Sequence, residues 1–145
     1  MAEKILAVLF TGCLIHAAVE DAKYMRVKRW IWWLAFFWGV LTCIFCRKTP
    51  EIPLFDLICF SVLQFGLFSQ MYGLADCFAF VCCSIMLAAN GGTIREYLMH
   101  MLCSVVLLGI VQLGRRNVTA GGRLKKEVAF IPYITHTFYL MLIMK

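Results

Sequence analysis

The stretch Trp30-Ile31-Trp32-Trp33-Leu34-Ala35-Phe36-Phe37-Trp38-Gly39-Val40-Leu41-Thr42-Cys43-Ile44-Phe45-Cys46 carries no charge over seventeen positions. Its apolar residues are continuous. They neither alternate with polar ones, as on a half-buried strand, nor recur every three to four positions, as on a surface helix. In hydrocarbon the backbone must satisfy its own hydrogen bonds, which leaves helices or a closed barrel. A block that does not alternate reads as a helix.

Five similar blocks accompany it: Ile5 to Val19, Leu54 to Met71, Ala75 to Ala89, Tyr97 to Leu113, and Val128 to Met144. Several are shorter than the ~20 residues a perpendicular span needs, which predicts extension into polar flanks or a thinned bilayer. The connectors Asp21–Arg29, Arg47–Pro53, Tyr72–Leu74, Asn90–Glu96 and Gly114–Glu127 hold the turn formers Pro50, Pro53, Gly91, Gly92, Gly121 and Gly122. There is no internal repeat. The reading is an all-α, polytopic membrane protein of six transmembrane helices, one domain over residues 1–145.

Composition agrees. Of 145 residues, 63% are hydrophobic and only 15% charged, and the mean hydropathy is +0.84. A soluble domain needs about a quarter of its residues charged. The net charge of +6 does not point to nucleic acid, because the basic residues sit in connectors, where they orient a membrane protein. Of the eight cysteines, Cys13, Cys59, Cys77, Cys82, Cys83 and Cys103 lie in or beside apolar blocks, as small hydrophobes do. Cys43 and Cys46 form a lone CxxC, short of the four ligands of a structural zinc site. The first block reads as a retained span rather than a cleaved signal peptide, its only basic residue being Lys4 beside Glu3.

Alternate connectors share a face. The odd ones hold nine basic residues (Lys23, Arg26, Lys28, Arg29, Arg115, Arg116, Arg123, Lys125, Lys126). The even ones, with both termini, hold five (Lys4, Arg47, Lys48, Arg95, Lys145). The positive-inside rule puts the odd connectors in the cytoplasm and both termini outside.

Among the acidic residues, those in connectors read as solvated. Asp76 differs, because it opens the fourth apolar block, where an ionisable group is a functional hypothesis by default. Asp21 closes the first block. One crossing precedes the connector of Asp21 and three precede that of Asp76, so both carboxylates fall at the cytoplasmic boundary. Two aspartates at one depth can share a proton, giving an acid and a base together. Such a pair activates water against a peptide carbonyl. The alternative is that each caps a helix, or pairs with Lys23 or Arg26, and spacing leaves both open.

Asp21-Ala-Lys-Tyr-Met-Arg-Val-Lys-Arg29 places an aspartate and a basic stretch after the first helix, and Gly73-Leu74-Ala75-Asp76 opens the fourth. A basic run and a proline, Lys125-Lys126-Glu-Val-Ala-Phe-Ile-Pro132-Tyr, precede the last. In these features, spread over nearly the whole chain, the sequence resembles the type IV prepilin peptidases, membrane aspartyl proteases with a GxGD motif. Six helices in so short a chain resemble the single-domain members associated with tight-adherence pili. The resemblance implies Asp21 and Asp76 as catalytic residues, with Gly73 and Ala75 at the substrate. It also implies cleavage of a prepilin-like membrane protein's leader at the cytoplasmic face of the inner (plasma) membrane, with no cofactor or metal. Ala75 stands where the motif has its second glycine. The Ile-Pro-Asn after the first aspartate is absent, as is the lysine two residues after the motif, where Phe78 stands. The cysteine-rich amino-terminal insert of the bifunctional members is also absent, so amino-methylation is not expected. The rival from a different class is a non-enzymatic multi-helix subunit or small transporter whose acidic pair handles protons or cations.

His16, His100 and His136, with Gln64 and Gln70, read as interhelical hydrogen-bonding groups. A Cys–His protease at Cys77 lacks a histidine close in sequence. Trp30, Trp32 and Trp33 fit an interfacial aromatic belt. The Gly-Gly pairs lack a phosphate-loop pattern.

Overall fold

A computed structural model of the chain describes residues 2–45, 53–118 and 128–144. Among them are six α-helices, one 3₁₀ turn and no strand: α1 (Ala2–Tyr24), α2 (Arg29–Phe45), α3 (Leu54–Gly66), the turn Phe68–Gln70, α4 (Leu74–Ala89), α5 (Ile94–Val118) and α6 (Ile131–Ile143). Cys46, Arg47, Lys48, Glu51, Arg123, Lys125, Lys126 and Lys145, on which the CxxC and part of the charge asymmetry rest, lie outside the described residues.

Each apolar block holds one α-helix, with bounds set by local chemistry. α1 runs past Val19 to Tyr24, where Met25 takes a left-handed φ of 53° and its N–H closes on the Asp21 carbonyl at 2.9 Å. The third block does not remain one helix to Met71. It stops at Gly66, a poor helix former, and continues as the tighter 3₁₀ turn. α4 ends in a Schellman motif: Gly91 has φ 77°, its N–H bonds the Ala88 carbonyl at 2.9 Å, and Gly92 bonds that of Leu87 at 2.8 Å. α5 starts at Ile94, earlier than Tyr97, because the Asp56 carboxylate of α3 accepts the Ile94 N–H at 3.0 Å.

α4 is the central helix. Twelve of its 16 residues are buried, and α2, α3, α5 and α6 all pack on it. α1 bridges α2 and α6, while α5 packs on α3 and α6. α2 and α3, though consecutive in the chain, share no extended packing face among the described residues.

Beside an apolar core, a few polar side chains are buried while many large apolar ones stand outside. Gln64, Ser104 and His100 are at most 1% exposed, whereas Val8, Trp33, Phe55 and Val62 are 65–78% exposed. The segments Lys4–Tyr24 and Ile94–Gly114 are long and apolar enough to cross a bilayer. Only 28% and 17% of their apolar windows are buried, so most of their apolar surface faces outward. The other helices, of 13 to 17 residues, fall short of that length.

Candidate active site: two aspartates at one end of the bundle

α6 begins without a cap of its own. Phe130 has no side-chain acceptor at the N-cap position, and Pro132, second in the helix, has no N–H. Asp21, in the last turn of α1, supplies the missing acceptor: its Oδ2 takes the Ile131 N–H at 3.1 Å, and the Phe130 N–H also acts on the carboxylate. Asp21 is only 8% exposed.

Asp76 is the third residue of α4 and is half-buried. Its Oδ2 accepts the Gly73 N–H at 3.2 Å. This is half of a capping box, since glycine has no side chain to return the bond.

Aromatic packing ties these two caps together. Phe130, next to the residue that Asp21 holds, meets Tyr72 at 5.7 Å and Phe80 at 5.8 Å between ring centroids. Tyr72 precedes the α4 cap and Phe80 lies one turn beyond Asp76. The start of α6 is thereby clasped between the end of α1 and the start of α4. Asp76 is half-buried, and Asp21, on a helix far from it in sequence, lies near enough for its charge to act on it. Each of the two expected aspartates caps a helix start, Asp21 that of α6 and Asp76 that of α4.

Gly73 is exposed, with an extended backbone at φ −64° that any residue adopts. A Cβ there would stand 3.7 Å from Asp76 Oδ2, ordinary van der Waals contact. Ala75 sits in the first turn of α4, partly buried against the core, so that position makes no use of glycine's freedom at positive φ.

Two further carboxylates are held by the fold rather than solvated. Glu20 is 8% exposed and accepts the Lys28 N–H at 3.0 Å, with Lys28 Nζ at 3.6 Å and His16 Nε2 at 3.5 Å. It pins the α1–α2 loop beside Asp21. Asp56 caps α5 instead of standing in solvent. The signals were present: Glu20 lies one turn after His16, and Asp56 is the third residue of an apolar block. No local sequence pattern marks Tyr72. Its hydroxyl donates to Gln64 Oε1 at 2.8 Å, and burial, together with Cys77 and Asp76, pushes it well above the ordinary tyrosine value against the pull of that bond. It remains a protonated donor near Asp76.

His100 joins helices, its Nε2 lying 3.0 Å from the Ile134 carbonyl of α6. His16 and His136 are exposed; His16 pairs with Glu20 of its own helix and meets the Trp30 ring of α2. Gln64 is fully buried and also reaches Met101 Sδ on α5 at 3.2 Å. Gln70 is exposed and makes no interhelical bond among the described residues. Trp32 is not part of an exposed belt; it is 5% exposed and stacks on Phe78 at 6.4 Å, while Trp30 and Trp33 stay outside. The Cys77 thiol is buried and donates to the Gln64 carbonyl at 3.3 Å, and Cys43 donates to that of Ile85 at 3.3 Å. Among the described residues, no three His, Cys, Asp or Glu side chains gather as a metal site would require.

Comparison with protein-family models, with curated proteins and with solved structures finds no match to this chain.

Proposed function

We propose that the chain is a membrane aspartyl endopeptidase of the type IV prepilin peptidase kind, in which Asp21 and Asp76 activate one water between them. The observation that carries this reading is that Asp21 and Asp76 cap the starts of α6 and α4, which Phe130 packs together, with Asp21 near enough for its charge to act on Asp76. One member, ionised, takes the proton of water; the other, protonated, polarises the scissile carbonyl. The backbone N–H bonds on each carboxylate orient it and leave acceptor capacity, a carboxylate having about four lone-pair sites.

The same reading places six crossings in the bilayer. The four shorter helices meet it by local thinning or by extension into their flanks, and the outward apolar surface supports this. The end holding Asp21 and Asp76 is cytoplasmic, and both termini are outside. The substrate is a prepilin-like membrane protein with a basic leader before an apolar helix. The side between α2 and α3 gives such a helix a way in. There Phe78, 42% exposed and two residues from Asp76, lies between Trp32 and Phe65.

Co-expression with candidate prepilins tests the reading. Wild-type protein shortens the precursor, seen as a mobility shift, while Asp21→Asn and Asp76→Asn insert in the membrane and leave it intact. A wild-type protein that cleaves none of them refutes it. A second reading, a small transporter or subunit handling protons or cations, draws on the buried chain of His100, Ser104 and Thr137, in which the Ser104 hydroxyl bonds both the His100 carbonyl and Thr137. It requires cation flux into vesicles holding the purified protein.

A further inference from the structure

We infer that the α1–α2 loop is a docking surface for acidic phospholipid headgroups, held ready by Glu20. Four cations fall within seven residues here: Lys23, Arg26, Lys28 and Arg29, all exposed. Lys28 is the one that is neutralised, its ammonium and its backbone N–H both turned onto Glu20. Among the described residues Lys23, Arg26 and Arg29 form no ion pair. The nearby Asp21 does not offset them, because it is buried and committed to the start of α6.

The loop has a fixed shape. The left-handed Met25 closes α1, and Glu20 ties Lys28 back across eight positions. Fixing the loop in advance reduces the ordering that binding would otherwise require. Beside the cations stand Tyr24, Trp30 and Trp33, at 70%, 52% and 74% exposure. Aromatic rings of this kind sit at headgroup depth, so the three outward cations are presented at the level of lipid phosphates. Each cation near an anionic leaflet favours the contact by about fivefold. The proposal rests on the chain lying in a bilayer, as read above, and is independent of peptidase activity.

Quenching of Trp30 and Trp33 fluorescence by brominated lipids tests it in vesicles holding the full chain. Brominated phosphatidylglycerol should half-saturate quenching at a mole fraction at least about fivefold lower than brominated phosphatidylcholine, the effect of a single cation. The preference should shrink as salt rises, since exposed charges are screened over about 10 Å at 0.1 M. It should vanish in the triple variant Lys23→Gln, Arg26→Gln, Arg29→Gln, with helicity checked by circular dichroism. Equal quenching by the two lipids, a preference indifferent to salt, or one that survives in the folded triple variant overturns the proposal. So does loss of the preference to inorganic phosphate at an ionic strength where chloride leaves it intact, which would assign the site to the free anion. Absence of quenching by either lipid overturns the bilayer reading as well.

Discussion

The Asp21 carboxylate and the Ile131 N–H, 110 residues apart, are joined at 3.1 Å, so the end of the first helix caps the start of the last. An Asp21→Ala substitution leaves that N–H without its partner and should lower stability by about 1–2 kcal/mol. Asparagine keeps an oxygen acceptor, so Asp21→Asn should cost roughly 0.5 kcal/mol or less. Thermal unfolding in detergent separates the two. The pair also separates structure from chemistry, because both variants lose the ionised carboxylate and only one loses the cap.

Phe130 is the wedge that couples α6 to α4. It is 5% exposed and touches Tyr72 and Phe80. Phe130→Ala should destabilise by about 3 kcal/mol through the cavity it leaves. Cleavage should fall further than unfolding alone accounts for, measured at a temperature where the variant is still folded.

Glycine positions give a graded test of the backbone. A Cβ on Gly92 would stand 2.8 Å from the Leu87 carbonyl oxygen, where only backbone could yield, and Gly92→Ala should cost about 1–3 kcal/mol. A Cβ on Gly12 meets nothing within 4 Å, and Gly12→Ala should be neutral or stabilising. Met25→Gly relieves a left-handed strain of about 1–2 kcal/mol at an entropic cost of about 0.5–1, for a net gain near 0.5–1 kcal/mol. The order of melting temperatures checks all three.

A shared-proton mechanism fixes the form of the pH profile. On the acid side the base becomes protonated and cleavage is lost. On the alkaline side the acid ionises and cleavage is lost again. The rate with a prepilin substrate should therefore pass through a maximum, and either single asparagine variant should leave no such maximum to measure.

The helices were legible because hydropathy reports them directly. Their ends were less so, because hydropathy stops at charge whereas backbone hydrogen bonding does not. α1 carries Glu20, Asp21 and Lys23 inside its last turns. Met25 gave no glycine signal for the left-handed turn, and the break after Gly66 lies within an unbroken apolar run. Parity of crossings sets Asp21 and Asp76 at one face, and each caps a helix there that Phe130 draws toward the other. What no local pattern could give was the partner of each acid: Ile131 for Asp21, Lys28 for Glu20 and Ile94 for Asp56, all brought in by tertiary packing.

The most direct test is a double-mutant cycle on cleavage of a purified prepilin by wild type, Asp21→Asn, Asp76→Asn and the double variant. If the two carboxylates serve one water, each single variant should lose nearly as much rate as the double. If the losses multiply independently, or either single variant still cuts at the wild-type rate, the two aspartates are not a catalytic pair.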